Sequence, residues 1–160
     1  MEYLKKIISG AQTGADRAGL DFAISNGIRH GGWVPKGRIA EDGIVPLKYN
    51  VKEHKSEKYP PRTAANIHDA DVTIIFTGNV LERGCLLTAN LCKSMNKPYL
   101  IINIEEMVEN STFSVERIKI ITWLDKIKPK ILNIAGSRES KLPGIYKRVK
   151  DLLQAVYISY

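Results

Sequence analysis

The sequence predicts a three-layer α/β sandwich built on a mainly parallel, five-stranded sheet. Three observations point there. Short apolar runs alternate five times with stretches of helical period along the 160 residues. The clearest run, Asp71-Val72-Thr73-Ile74-Ile75-Phe76, is dense in β-branched residues, as a strand buried on both faces should be. Glycines and arginines gather just after the strands, at 10–16, 35–43, 77–88 and 136–140, where ligands sit in such sheets. The length fits one domain over residues 1–160, and 44% hydrophobic residues suffice for a core. No repeat or low-complexity tract interrupts it.

The elements follow in order. Residues 4–9 read as a buried first strand. Gly10-Ala11-Gln12-Thr13-Gly14-Ala15-Asp16-Arg17 is the turn into a first helix, which shows Leu20, Ala23 and Ile24 on one face and stops at Gly27. Gly10 and Gly14 permit positive φ and close approach of a ligand. A helix start offers free N–H groups and a positive dipole end, which suits phosphate. Gln12, Thr13 and Asp16 add polar side chains at that rim. The turn lacks full G-x-G-x-x-G spacing and a Walker G-K-[ST].

His30-Gly31-Gly32-Trp33-Val34 is the second strand. Residues 35–61 form a long irregular stretch, of the kind that is functional or mobile in a compact domain. Pro61 opens a short helix through His68. After the third strand, 71–76, a helix over 85–95 carries Leu87, Leu91 and Met95 in one stripe. Tyr99-Leu100-Ile101-Ile102-Asn103 is the fourth strand. Glu105, Glu106, Glu109 and Asn110 make an acidic linker. Ser114 caps a helix to Ile127 that carries Val115, Ile118, Ile121 and Leu124. The fifth strand, 131–135, leads to a second polar turn, Gly136-Ser137-Arg138-Glu139-Ser140. Pro143 opens the last helix, with Ile145, Val149, Leu152, Leu153 and Val156 inward.

The net charge is +7, but the lysines are scattered and form no basic tail or helix. Cys85 and Cys92 lie seven apart on one helix, about 10 Å along its axis, too far for a disulfide. Few cysteines and no signal peptide point to the cytoplasm, where the Asn110-Ser111-Thr112 sequon has no meaning. No apolar run is long enough to span a membrane.

For a phosphorylated small molecule, the first turn would supply N–H donors. Lys36 and Arg38 around Gly37, with Arg83 and Arg138, would supply charge; arginine can hold phosphate through paired hydrogen bonds. Acid–base chemistry has Asp16, Glu41, Asp42 and Glu139 available. His30, His54 and His68 are isolated, so no protein-ligated metal is expected. No nucleophile elbow is present.

Four ordered motifs carry a resemblance: 10–17; His30-Gly-Gly-Trp-Val-Pro-Lys-Gly-Arg38 with Ala40-Glu-Asp-Gly43; Arg62-Thr63 with Asn66; and Asn133-Ile-Ala-Gly-Ser-Arg-Glu-Ser140. Together they resemble the putative molybdenum carrier family, a YpsA-related branch of the SLOG superfamily. That superfamily also holds cytokinin-activating phosphoribohydrolases and the DNA-processing protein A group. The resemblance spans Leu4 to about Tyr146 and implies a Rossmann-like sheet that binds a nucleotide- or pterin-type phosphorylated ligand. The bound cofactor would be molybdenum cofactor or a nucleotide. Matching positions are Gly10, Gln12, Thr13, Gly14 and Asp16; Lys36, Gly37 and Arg38; and Gly136, Ser137 and Arg138. The resemblance also implies a homo-oligomer.

The phosphoribohydrolases carry a Pro-Gly-Gly turn, Gly-Thr and an acidic residue where this chain reads Glu82-Arg83-Gly84-Cys85-Leu86-Leu87-Thr88-Ala89-Asn90. That departure favours a carrier over the alternative, an enzyme cleaving a nucleoside monophosphate. A third reading, a nucleic-acid-binding module, lacks cations interleaved with aromatics. In the superfamily the strand before Gly-Ser-Arg comes first; here it comes last. The chain therefore resembles a circular permutation, with strand order 2-1-5-3-4 expected and 2-1-3-4-5 as the alternative.

Overall fold

A computed structural model describes residues 1–105 and 114–160. Five parallel strands form its central sheet: β1 (Lys6–Ile8), β2 (Arg29–Gly31), β7 (Val72–Thr77), β8 (Tyr99–Asn103) and β9 (Ile131–Gly136). Their order is β2-β1-β9-β7-β8. The last strand of the chain thus lies in the middle, paired on one side with β1 and on the other with β7, which is the permuted order 2-1-5-3-4. Pairing of β9 with the edge strand β8, as the alternative requires, does not occur.

Helices cover both faces. The helices α1 (Ala15–Ser25), α4 (Ser114–Ile127) and α5 (Ile145–Tyr157) share one layer; α2 (Tyr59–Asp69) and α3 (Arg83–Ser94) share the other. Strand periodicity of two divides β7 between them. Val72, Ile74 and Phe76 enter the core under α1, α4 and α5, whereas Ile75 packs with Cys85 and Ala89 of α3. All six residues of β7 are buried, as a central strand requires. The five apolar positions expected inward on α5 are buried too.

Residues 35–58 are less irregular than their composition predicts. They hold a single turn of tight helix (Lys36–Arg38), the hairpin β4 (Ile39–Ala40) with β5 (Gly43–Ile44), and β6 (Lys52–Glu53). β6 pairs with β3 (Trp33–Val34), which the expected second strand becomes after it breaks at Gly32. Gly32 has φ +126°, and a Cβ there would sit 2.1 Å from the Ser9 carbonyl oxygen. Val45, Tyr49 and Val51 of this excursion bury themselves against Ala11, Leu20 and Val34. Asp21 of α1 ties it down, accepting from Lys48 at 2.7 Å and from the Tyr49 hydroxyl at 3.0 Å.

Three expected helix faces match only in part. On α3 the buried positions are Cys85, Thr88, Ala89 and Cys92, and Met95 is exposed. On α4 Ile120 and Leu124 are buried, while Val115 and Ile118 face solvent. On α1 Leu20 and Ala23 are buried as expected, and Ile24 is exposed because Phe22 completes the face in its place. In each case an apolar residue beside the true seam imitates it at helical spacing. The Ser114 side chain, and Glu106, Glu109 and Asn110 with its sequon, lie outside the described residues. Near the two ends of the chain, the Tyr3 and Tyr160 hydroxyls lie 2.8 Å apart and both donate to Asp125 Oδ1, so the ends are adjacent as a permuted chain needs. Among the described residues no helix is long and apolar enough to cross a membrane.

Candidate functional site

With β9 beside β1, the two glycine turns meet at one sheet edge. They meet backbone to backbone. A Cβ on Gly14 would lie 2.4 Å from the Ser137 carbonyl oxygen and 2.7 Å from the Glu139 nitrogen. Gly14 also holds φ +79° and ψ −129°, a region for glycine alone. A Cβ on Gly136 would lie 2.2 Å from the Phe76 carbonyl oxygen. Most N–H groups of the turns are engaged within the protein. Ala11 donates to Ser9 Oγ, Gln12 to Asp16 Oδ2, Thr13 to Gln12 Oε1 and Ala15 to the Ser137 carbonyl. In the second turn, Ser137 donates to the Phe76 carbonyl and Glu139 to Thr13 Oγ1.

A cavity of about 830 Å³ opens beyond these turns, between the strand ends and the starts of α2 and α3. Arg62, in the first turn of α2, forms its most distinctive wall. Pro60 and Pro61 sit at the start of α2, where proline fits because the first N–H groups have no helical partner. The Arg62 side chain is 12% exposed and stands 3.6 Å from Asp16 Oδ2. It lies directly on Gly10: a Cβ there would meet Nη1 at 1.7 Å. The Tyr59 ring has the Arg62 guanidinium at 5.6 Å and that of Arg138 at 4.8 Å. Burial pushes the Asp16 carboxyl above its ordinary value, with Arg62 pulling it back. Burial lifts the Cys85 thiol to about 11, so it stays protonated against Ser137 Oγ, 3.8 Å away.

Two buried donors here have no partner: Gln12 Nε2 and Arg62 Nε. The Gln12 amide cannot simply turn over, because its Oε1 accepts from the N–H groups of Thr13 at 3.1 Å and Glu41 at 2.9 Å. An unsatisfied buried donor costs about 1–3 kcal/mol, so two on side chains that line one cavity favour an acceptor beside them, a ligand or an ordered water. Among the described residues no group of three His, Cys, Asp or Glu side chains could hold a metal ion.

A family model, that of the circularly permutated YpsA SLOG family, matches residues 7–157. The chain belongs to this family. Its structure is similar to the crystal structure of "Putative molybdenum carrier protein" from Syntrophus aciditrophicus SB. The two share 42% identity and a TM-score of 0.89, over 96% of this chain and 95% of that one. No curated protein matches.

In this SLOG chain the expected site residues divide into three sets. Gly10, Gln12, Asp16, Arg83, Gly136 and Arg138 line the cavity. Thr13, Gly14 and Ser137 lie behind them in the joint between the turns. The close approach expected for Gly10 and Gly14 is made by protein: the Arg62 guanidinium covers one and the 137–139 backbone the other. Lys36, Gly37 and Arg38 do not line the cavity. Gly37 donates to Glu53 Oε1, and Arg38 donates to the carbonyls of Val45, Pro46, Tyr49 and Val51. Backbone acceptors crowd Arg38 from its own excursion, so it builds that excursion. Of the carboxylates weighed for acid–base work, Glu139 caps the start of α5 through the N–H groups of Gly144 and Tyr146, and Asp42 pairs with Arg17. Asn90 is exposed and lines no part of the cavity.

Arg62, Tyr59 and Thr63 were absent from the sequence-derived site, although all three line the cavity. The signal was available for Arg62: a cation one position inside a Pro-Pro helix start, carried by one of the four family motifs.

Proposed function

We propose that this chain is a carrier that binds a phosphorylated small molecule of nucleotide or pterin type in the cavity between α2, α3 and the glycine turns. The observation that carries the reading is the pair of unpartnered buried donors, Gln12 Nε2 and Arg62 Nε, at a wall that also holds Arg138. A phosphate or a pterin ring offers acceptors for such donors, and arginine hydrogen bonds to anions are among the strong ones. The relative's name, molybdenum carrier, favours molybdenum cofactor as the cargo. A pterin phosphate would carry the metal as part of the ligand, so a protein cluster of metal-binding side chains is not required. The homo-oligomer implied by the family belongs to this reading, since carriers of labile cofactors gain from shielding their cargo.

A second reading, cleavage of a nucleoside monophosphate, draws on Asp16. It is a buried carboxyl on the cavity wall whose affinity for a proton is raised by burial, the direction a general acid or base requires. Against it, Asp16 already faces Arg62 and accepts from the Gln12 N–H.

Native mass spectrometry of the protein freshly purified from cells separates the readings. A co-purifying pterin phosphate or intact nucleotide supports the carrier. Release of free base from added nucleoside monophosphates supports the enzyme. A protein that carries nothing and binds no phosphate-bearing probe defeats both.

A further inference from the structure

Glu41 stands on the turn between β4 and β5 and is not part of the cavity lining. It nevertheless touches both glycine turns. Its carboxylate accepts from Thr13 Oγ1 on the first turn, and from Ser140 Oγ at 2.5 Å and Ser140 N–H at 3.3 Å on the second. Arg138 Nη1 lies 3.9 Å from Glu41 Oε2. The Glu41 N–H donates to Gln12 Oε1 at 2.9 Å. One residue of the excursion therefore reaches two of the side chains that line the cavity. With Oε1 held by two N–H groups, the Gln12 amide has one orientation, and Nε2 is the atom left without a partner. Arg138, 37% exposed and 4.8 Å from the Tyr59 ring centroid, has Glu41 as an anionic neighbour.

We propose that Glu41 is a positioning residue for the cavity. It sets the Gln12 amide through its N–H and restrains the Arg138 guanidinium through its carboxylate. The 35–58 excursion then contributes to binding by holding the wall from behind, and its own cations Lys36 and Arg38 take no direct part. Burial alone would raise the Glu41 carboxyl, but hydrogen bonds from Ser140 and Thr13 outweigh it, so the group is ionised at neutral pH, as the contact with Arg138 needs.

This inference rests on the binding reading above, and its test has a readout that does not. The ligand-free protein is labelled with nitrogen-15, and the Gln12 side-chain amide is followed by NMR in wild type, Glu41→Gln and Glu41→Ala. Affinities for guanosine 5′-monophosphate and inorganic phosphate are measured on the same samples. Guanine is chosen because it shares the amino-pyrimidinone edge of a pterin. Glu41→Gln keeps a side-chain oxygen for Thr13 and Ser140, which anchors its N–H, and should leave the Gln12 amide near its wild-type position while weakening affinity threefold to tenfold through Arg138. Glu41→Ala keeps the N–H but loses the anchorage that holds it in place, so it should move or broaden the Gln12 amide and weaken affinity tenfold or more. An unmoved Gln12 amide in Glu41→Ala overturns the proposal, as does wild-type affinity in both variants. If the wild type binds neither probe, the binding reading falls, while the Gln12 amide still decides whether Glu41 positions it.

Discussion

The glycine turns and the start of α2 both border the cavity, yet they use their polar groups in opposite ways. In the turns, most backbone N–H groups are consumed internally, and Gly14 and Gly136 let backbone touch backbone, with Gln12 Nε2 the side-chain exception. At α2, the Arg62 guanidinium is buried with one face on Gly10 and keeps Nε without an acceptor. A polar group that is fully satisfied by its own fold is structural; one that is buried and unsatisfied is waiting for something. Arg38 and Arg62 make the same contrast with identical chemistry, since Arg38 donates to four carbonyls and Arg62 Nε to none.

The largest expected effect breaks the turn side. Gly14→Val forces a branched Cβ into the 137–139 backbone at a φ/ψ reserved for glycine. Strained dihedrals cost about 1–3 kcal/mol and overpacking about 1–3 kcal/mol more, so urea denaturation should show a loss of about 3 kcal/mol or greater. A variant of normal stability and reduced affinity would instead return Gly14 to the ligand.

Arg38→Ala comes next. Four carbonyls lose a charged donor, for an expected loss of about 1.5–3 kcal/mol. Hydrogen exchange should quicken at 45–51 and stay unchanged in β7.

Smaller still, Arg138→Ala should lower affinity for a nucleoside monophosphate by roughly tenfold to a hundredfold, about 1.4–2.8 kcal/mol. The melting temperature should barely move, because the side chain is 37% exposed. Equal affinity with a lowered melting temperature would make Arg138 a structural residue like Arg38.

Acid provides the mildest test. Asp21, Glu41 and Asp42 hold the excursion, and all three carboxyls lie below their ordinary values. For Asp21 and Glu41, hydrogen bonds overcome burial; for Asp42, the Arg17 hydrogen bond dominates. A lowered folded pKa means stability that is present above the unfolded carboxylate range and lost as pH falls through the folded value. Hydrogen exchange should therefore release the excursion as pH drops below about 4, the ordinary carboxylate range, before the central sheet opens. Simultaneous opening of both would contradict it.

The sheet was largely legible because its signals are local or topological. β-Branched density marked β7, and the late position of Gly136-Ser137-Arg138 foretold that β9 would be central. The helix face of α3 was harder: Leu87 and Leu91 sit one position from the buried Thr88 and Cys92, a seam that only tertiary packing selects. In the site, the glycines correctly located the meeting of two turns. They could not reveal that Arg62, some fifty residues on, would occupy the space above Gly10. Nor could proximity to Gly37 reveal that Arg38 would find four carbonyls in its own loop.

Arg62→Lys tests the central claim most directly. Lysine keeps a positive charge opposite Asp16, so the fold should hold, but it loses the planar fork and the unpartnered Nε. Calorimetric titration with guanosine 5′-monophosphate should show binding to the wild type and at least tenfold weaker binding to the variant, about 1.4 kcal/mol, with melting temperatures within a few degrees. Wild-type protein that binds nothing, or an Arg62→Lys variant that binds equally well, would contradict a ligand site built on this wall.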